Sequence, residues 1–226
     1  MKNSSVDILH KIKMKMKNYL LTLLVLAMMP ALAQNEKDAE KLLESVINKT
    51  ASYSNFKAQL AYTMVNAEMN IDEKKTGVIY VQGDSYRIEM EGQEIISDGK
   101  TVWTYLPDSK EVMVSEVLET EESFSPTKIL TQYNDDYDAR FDADSKYKNA
   151  NLKVINLKAS EGKNFDRISV TVNLEKLSLE SFSMYDKDGN VFTYQIVLLE
   201  PNLNLSANTF VFNVKDYPGV DVVDMR

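Results

Sequence analysis

Apolar and polar positions alternate along this chain with two different periods. Near the N-terminal end, apolar residues recur at helical spacing and charged residues occupy the other side of each turn. This pattern predicts one amphipathic helix over residues 35–49. Its apolar positions are Ala39, Leu42, Leu43, Val46 and Ile47.

After this helix the period changes to two, which is typical of strands with one buried face. Residues 56–64 and 86–91 alternate in this way. Short runs rich in β-branched and aromatic residues follow, and turn-forming residues separate them. The turns are Gly83-Asp84, Glu91-Gly92, Asp98-Gly99, Pro107-Asp108 and Asp188-Gly189-Asn190. The pattern therefore predicts a chain of antiparallel hairpins.

A second helix is predicted in the middle of the chain. Ser125 can cap it, Pro126 suits its first position, and Ile129, Leu130 and Tyr133 share one helical face. Together with the helix at the start, about ten to twelve strands give a mainly β (α+β) fold. The later predicted strands are residues 137–143, 152–159, 165–173, 177–185, 191–199 and 208–214.

Residues 1–33 have the features of an export signal. A basic segment ending at Lys17 precedes an apolar run over residues 19–29, which is too short to span a bilayer comfortably. Ala31-Leu32-Ala33 then provides a cleavage site of small residues. We expect a signal peptide over residues 1–33 and a single exported domain over residues 34–226.

Charge and composition exclude several kinds of function. The chain has 26 Lys+Arg and 34 Asp+Glu, and the signal segment contains five and one of them, so the rest carries a charge of about −12. Nucleic acid and anionic membrane surfaces are therefore poor partners. The single histidine, His10, lies in the signal segment and cysteine is absent. We predict no catalytic residues, no metal site and no cofactor.

The many carboxylates leave a carboxylate-dependent hydrolase as one alternative. However, almost every acidic residue falls in a turn or on the polar side of a strand, where we expect it to face water. The acidic run over residues 135–144 has strand-like alternation. The sequence Asp186-Lys187-Asp188-Gly189 lacks the glycine and glutamate spacing of a calcium loop, so we predict a hairpin turn there.

Methionine and aromatic residues are abundant on one side of the alternating strands. An ordinary core explains any one of them. A long curved sheet covered by only two helices is nevertheless expected to lack enough side chains to fill its concave face. An apolar groove would then remain.

Four segments resemble one known family. The stretch "ISDGKTVWTYLPDSKEVMV" (residues 96–114) is similar to a hairpin of the outer-membrane lipoprotein carrier family LolA. The stretches "SPTKILTQ", "DKDGNVFTYQI" and "NTFVFNVKDYPGVDVVDMR" resemble later segments of the family in the same order. The resemblance covers nearly all of residues 34–226. It implies a strongly curved, incomplete antiparallel β-barrel with a helical lid that encloses a hydrophobic cavity.

The resemblance also implies a function. Such a protein carries acylated lipoproteins through the periplasm as a monomer, from an inner-membrane release complex to an outer-membrane acceptor, and it breaks no bond. This chain departs from the family at Gly83-Asp84, where the family has Arg-Pro, and that arginine is associated with holding the lid. A LolA-like carrier or sensor of another amphiphile, such as a glycolipid, is therefore an alternative.

We predict which residues line the cavity and its lid. In the hairpin fixed by Asp98-Gly99, either Trp103 with Tyr105 or Val102 with Thr104 faces inward, and we choose Trp103. Trp103→Ala is then expected to weaken uptake of an acyl ligand. The full predicted set is Trp103, Tyr105, Met90, Met113, Tyr62 and Met64 in the cavity, with Leu42, Leu43, Val46, Ile129 and Leu130 in the lid.

Overall fold

A computed structural model describes residues 35–117, 137–143, 149–159 and 165–226. These residues form one α-helix, one large sheet and two short 3₁₀ helices. The predicted signal peptide and the predicted mid-chain helix with Ile129 and Leu130 lie outside the described residues. Within the described part of the chain, no helix has the length and apolarity that crossing a membrane requires.

Helix α1 spans residues 35–51, in agreement with the apolar spacing. Ala39, Leu43 and Val46 are 0–2% exposed and form its buried side. Polar contacts attach the start of α1 to an edge of the sheet. Asn35 Oδ1 accepts a hydrogen bond from the Phe141 N–H at 2.9 Å. The helix is therefore fixed both by an apolar stripe and by its first turn.

The sheet has twelve strands in the described residues and is open. The strands are β1 (Phe56–Asn66), β2 (Ile71–Gln82), β3 (Ser85–Met90), β4 (Gln93–Ser97), β5 (Thr101–Leu106), β6 (Glu111–Glu116), β7 (Tyr137–Phe141), β8 (Leu152–Ala159), β9 (Phe165–Asn173), β10 (Ser178–Asp186), β11 (Asn190–Pro201) and β12 (Asp221–Asp224). Along the sheet the order is β12-β6-β5-β4-β3-β2-β1-β11-β10-β9-β8-β7, so β12 and β7 lie at its two edges. All pairs are antiparallel except β12 with β6. This confirms a mainly β fold without full closure.

The predicted hairpin turns are confirmed, and the turn between β4 and β5 shows how they form. Gly99 has a φ of 89°, a conformation that side chains with a Cβ rarely adopt. Asp98 Oδ1 accepts hydrogen bonds from the N–H groups of Lys100 at 2.9 Å and Thr101 at 2.8 Å. The aspartate side chain thus holds the turn closed, and the register of β5 follows from it.

The strand predicted over residues 208–214 is wrong. This region contains two 3₁₀ helices, Ala207–Phe210 and Val214–Asp216. The side chains of Ser206 and Asn213 accept hydrogen bonds from backbone N–H groups two residues ahead, at 3.3 and 3.2 Å. Such local bonds compete with extended structure. Strand β12, which follows, was not predicted by the alternation.

The register of the strands defines two faces of the sheet, because residues directly opposite in antiparallel pairs share a face. We call the face that packs against α1 the helix face and the other one the opposite face. Residues of the helix face include Phe56, Ala58, Leu60, Tyr62 and Met64 of β1, Tyr86, Ile88 and Met90 of β3, Val102 and Thr104 of β5, Met113 of β6, Phe182 and Met184 of β10, and Phe192, Tyr194 and Ile196 of β11.

Buried apolar residues form three clusters. The first lies between α1 and the helix face of β7 to β11. The second lies on the helix face of β1 to β4. The third lies on the opposite face of β4 to β6, where the C-terminal segment (residues 207–220) covers it. Their buried members are, in turn, Ala39, Leu43, Val46, Ala139, Ile155, Leu157, Ile168, Val170, Val172, Leu179 and Met184; Ala58, Ile79, Val81 and Ile88; and Ile96, Val112 and Phe212.

Candidate functional site

An aromatic row crosses three neighbouring strands on the helix face. The rings of Tyr62 and Tyr194 lie 5.1 Å apart, and those of Tyr194 and Phe182 are stacked at 4.8 Å. Burial, with a smaller effect of Tyr62, raises the pKa of Tyr194 to about 12. The phenol therefore stays neutral at physiological pH, and the row presents an uncharged surface.

Methionines extend this apolar surface. Met64 lies opposite Phe192, and Phe192 lies opposite Met184, which gives a second row beside the aromatic one. Met184 is 6% exposed, and Met64 is partly buried. Unbranched thioether side chains adapt to ligands of variable shape. The surface thus has the composition expected for binding flexible apolar chains.

The Met90 side chain lies directly against the backbone of the neighbouring strand at Gly77. Gly77 of β2 lies opposite Met90 of β3 on the helix face. A Cβ built at Gly77 would lie 2.7 Å from Met90 Cγ and 2.9 Å from the Glu89 carbonyl oxygen. The absence of a side chain at Gly77 therefore lets Met90 lie across the sheet.

Helix α1 covers one part of the helix face. Its buried side packs with residues of β7 to β11 in the first cluster. The second cluster and the side chains packed against it come from β1 to β4 and β11, and no described residue of α1 is among them. Val102, Thr104 and Met113 continue the same face on β5 and β6 and are partly exposed. The candidate site is thus the half of the helix face that runs from β1 to β6.

Trp103 and Tyr105 lie on the opposite face of the sheet. Trp103 pairs with the fully buried Ile96 and belongs to the third cluster. The ring of Tyr105 lies 5.8 Å from that of Phe212 and 4.7 Å from that of Tyr217. Of the two alternatives for this hairpin, the register therefore puts Val102 and Thr104 on the helix face. The C-terminal segment provides the apolar partners of Trp103 and Tyr105 on the opposite face.

Polar contacts fasten the C-terminal segment beside this cluster. Arg87 forms ion pairs with Glu94 and, at 3.0 Å, with Glu89, and its Nη1 donates to the Thr209 carbonyl at 3.4 Å. The Tyr217 hydroxyl donates to Glu94 at 2.8 Å. Burial and the neighbouring Glu94 raise the pKa of Tyr217 to about 12. The hydroxyl thus remains a donor at all physiological pH values.

The predicted site residues therefore divide into groups. Four lie on the helix face, and three lie on α1, which covers the half of that face formed by β7 to β11. Two lie on the opposite face, and two lie outside the described residues. The sequence analysis did not single out several aromatic and aliphatic residues that share the helix face. Their alternation with polar neighbours in β3, β10 and β11 was the available signal for all but Ile95 of β4, which is followed by Ile96. These missed residues are Tyr86, Ile88, Ile95, Phe182, Phe192, Tyr194 and Ile196.

The acidic side chains that the structure describes are scattered and do not gather into a metal site. Groups of three or more histidine, cysteine, aspartate or glutamate side chains that could hold a metal ion do not occur among the described residues. The Asp186 carboxylate instead accepts hydrogen bonds from the Asp188 N–H at 3.0 Å and from the Asn190 N–H at 2.7 Å. This hairpin geometry agrees with the prediction of a turn at that position.

Comparisons with known proteins converge on one family. A family model described as outer membrane lipoprotein carrier protein LolA matches residues 51–213. An outer-membrane lipoprotein carrier protein of Proteus mirabilis (strain HI4320) is 26% identical over 219 residues, which cover 93% of this chain and 100% of that protein. One of Shewanella frigidimarina (strain NCIMB 400) is 25% identical over 132 residues, 58% of this chain and 60% of that protein.

One solved structure shares the fold at low sequence identity. An uncharacterised conserved protein from Thermus thermophilus superposes with a TM-score of 0.54 and 15% identity. The superposition covers 83% of this chain and 99% of that chain. At this identity the likeness concerns the architecture alone.

Proposed function

Because the chain belongs to the LolA family of outer membrane lipoprotein carrier proteins, we propose that it carries lipoproteins through the periplasm with their acyl chains held against the helix face. The protein is a carrier and not an enzyme. In this proposal it takes its cargo from an inner-membrane release complex and delivers it to an outer-membrane acceptor. Residues 1–33 direct its export and are then removed.

The observation that carries the proposal is the incomplete cover of the helix face by α1. The second cluster and its continuation on β5 and β6 form an apolar surface to which the described part of α1 contributes no residue. Met90 and Met113 lie on this surface, and Tyr62 and Met64 connect it to the part under the helix. An acyl chain laid along this surface would have apolar neighbours for much of its length.

The free energies make an enclosed site necessary. Each methylene removed from water gains about 0.8 kcal/mol, so one chain of roughly sixteen carbons represents more than about 10 kcal/mol. A shallow patch does not provide that much burial, whereas a cavity does. Release remains possible if α1 exchanges its own contacts with the sheet for contacts with the ligand. We therefore propose Leu42, Leu43 and Val46 as the lid side of the cavity.

The charge of the chain supports release into the periplasm. Acidic residues outnumber basic ones, 34 to 26, and the sequence isoelectric point is about 4.9. Anionic membrane surfaces therefore repel the protein. A carrier that remains in solution between two membranes needs this property.

The proposal is tested by native mass spectrometry of the protein isolated from its own periplasm. We expect a population that carries a triacylated protein, and we expect Met113→Asp to abolish it, because a carboxylate on the helix face opposes apolar binding. Met69→Asp is the matched control, since Met69 lies in a turn and is 67% exposed. An empty wild-type protein, or equal occupancy in both variants, would contradict the proposal.

A second cargo class is supported by the turn between β2 and β3. Gly83-Asp84 stands there in place of the Arg-Pro to which the family resemblance ascribes lid retention. A different means of holding α1 would suit a different amphiphile, such as a glycolipid. The same mass measurement distinguishes the two, because a free lipid adds a much smaller mass than an acylated protein.

A further inference from the structure

The chain contains two Asp-Gly pairs, and each forms a hairpin turn. Asp98-Gly99 joins β4 to β5, and Asp188-Gly189 joins β10 to β11. Among aspartates, one that precedes glycine is the most prone to isomerise, since glycine has no side chain to hinder attack by its nitrogen. We propose that Asp188 is a site of spontaneous conversion to isoaspartate in the folded protein, whereas the fold protects Asp98.

The reaction needs only water. The Gly189 amide nitrogen loses its proton to solvent and attacks Cγ of the Asp188 carboxyl group in its protonated form. An N–Cγ bond forms, the bond from Cγ to the hydroxyl oxygen breaks, and that hydroxyl leaves as water after it takes up a proton from solvent. The resulting cyclic imide then takes up one water at either carbonyl. Opening at the main-chain carbonyl leaves the chain running through Cβ and Cγ, so the product is isoaspartate and the composition is unchanged.

Three features of the Asp98 turn oppose this attack. The Asp98 carboxylate accepts hydrogen bonds from Lys100 and Thr101, which hold it away from the next nitrogen. The Gly99 N–H, which must be deprotonated, donates to Ser97 Oγ at 3.1 Å. The space beside Gly99 is also filled, since a Cβ there would lie 3.2 Å from Asp84 Cβ. Both reacting groups are thus engaged in a crowded turn.

The Asp188 turn lacks all three features within the described residues. Asp188 uses its backbone for hydrogen bonds, donating to Asp186 Oδ1 and accepting from Asn66 Nδ2, both at 3.0 Å. Its exposed carboxylate and the Gly189 N–H have no such partner in the part of the chain that the structure describes. A Cβ at Gly189 would meet nothing within 4 Å. The side chain is therefore free to turn toward the nitrogen.

Conversion would loosen the connection between two hairpins. Asn66 is 1% exposed, and its Nδ2 donates to the Asp188 carbonyl and to Asn190 Oδ1 at 2.8 Å. Isoaspartate adds one carbon to the main chain at Asp188 and displaces that carbonyl. After conversion, strands β10 and β11 would begin to separate at this turn. These strands carry Phe182 and Tyr194 of the aromatic row. The modification is thus expected to reach the helix face.

The test is to incubate the folded protein at neutral pH in heavy-oxygen water and to map isoaspartate by peptide mass spectrometry with electron-transfer fragmentation. We expect at least about tenfold more isoaspartate and incorporated heavy oxygen at position 188 than at position 98, the factor that one lost hydrogen bond represents. Asp188→Glu should remove the signal, because the larger ring closes far more slowly. Equal rates at both positions, or faster reaction at Asp98, would overturn the proposal.

Denatured protein provides the control for the role of the fold. In concentrated urea the hydrogen bonds around Asp98 are absent, so the two Asp-Gly pairs should react at similar rates. A preference for position 188 that persists unchanged in urea would assign the difference to the local sequence and would also overturn the proposal.

Discussion

Single residues decide how the helix face is shaped, and Gly77 is the clearest case. Its missing Cβ leaves room for Met90, while the Glu89 carbonyl on the facing strand is almost as close. A flexible thioether could move away from a new methyl group, but a backbone oxygen in a paired strand could not. The position therefore constrains the backbone as well as the side chains of the helix face.

We expect Gly77→Ala to lower the free energy of unfolding by roughly 1–3 kcal/mol, the usual effect of overpacking. Chemical denaturation measures this change. Thr76→Ala, at an exposed neighbouring position on β2, should remain within about 0.5 kcal/mol of wild type. A Gly77→Ala protein as stable as Thr76→Ala would show that the two strands separate more easily than the structure implies.

Ionisation of Tyr194 is expected to lower the stability of the sheet at alkaline pH. Burial raises its pKa from 10.0 to about 12 in the folded state. The neutral phenol therefore stabilises the fold fully below pH 10.0, and that contribution is lost as the pH rises toward 12. Tyr194→Phe cannot ionise, so its stability should fall less over this window. The measurement is the thermal unfolding temperature of both proteins across this pH range. Parallel dependence of the two temperatures on pH would contradict a buried Tyr194.

Among the elements, the C-terminal segment is the one whose structure and packing local sequence patterns did not predict. Alternation, turn residues and helical spacing predict α1 and most strands, because each is a local signal. The pairing of Trp103 with the C-terminal segment depends instead on contacts between residues about a hundred positions apart, and either face of β5 was compatible with the local pattern. The same limit explains why β12, a short strand with all four residues exposed, was not predicted.

The packing of this segment leads to a test with the single tryptophan. Phe212 is 6% exposed and lies in one cluster with Trp103. We expect Phe212→Ala to cost about 3–5 kcal/mol and to shift Trp103 fluorescence to longer wavelength, because water reaches the indole. Val211→Ala is the control, since Val211 is 46% exposed. An unchanged emission spectrum in Phe212→Ala would show that the segment does not cover Trp103.

At the scale of the whole molecule, one open sheet serves two purposes. Its opposite face binds the C-terminal segment of the same chain, while its helix face is only partly covered by α1. The sequence predicted a mainly β fold and the family, but the division of predicted site residues between two faces required the register of all twelve strands. The proposed acyl-chain binding therefore depends on which of the two faces receives the ligand.

Photolabelling of β5 tests this claim most directly, because alternate residues of one strand belong to different faces. The protein is loaded with a fatty acid that carries a diazirine near its methyl end, irradiated, and mapped residue by residue by tandem mass spectrometry. We predict label on Val102 and Thr104, and on Met113 of the neighbouring strand. Label confined to Trp103 and Tyr105 would contradict an acyl site on the helix face.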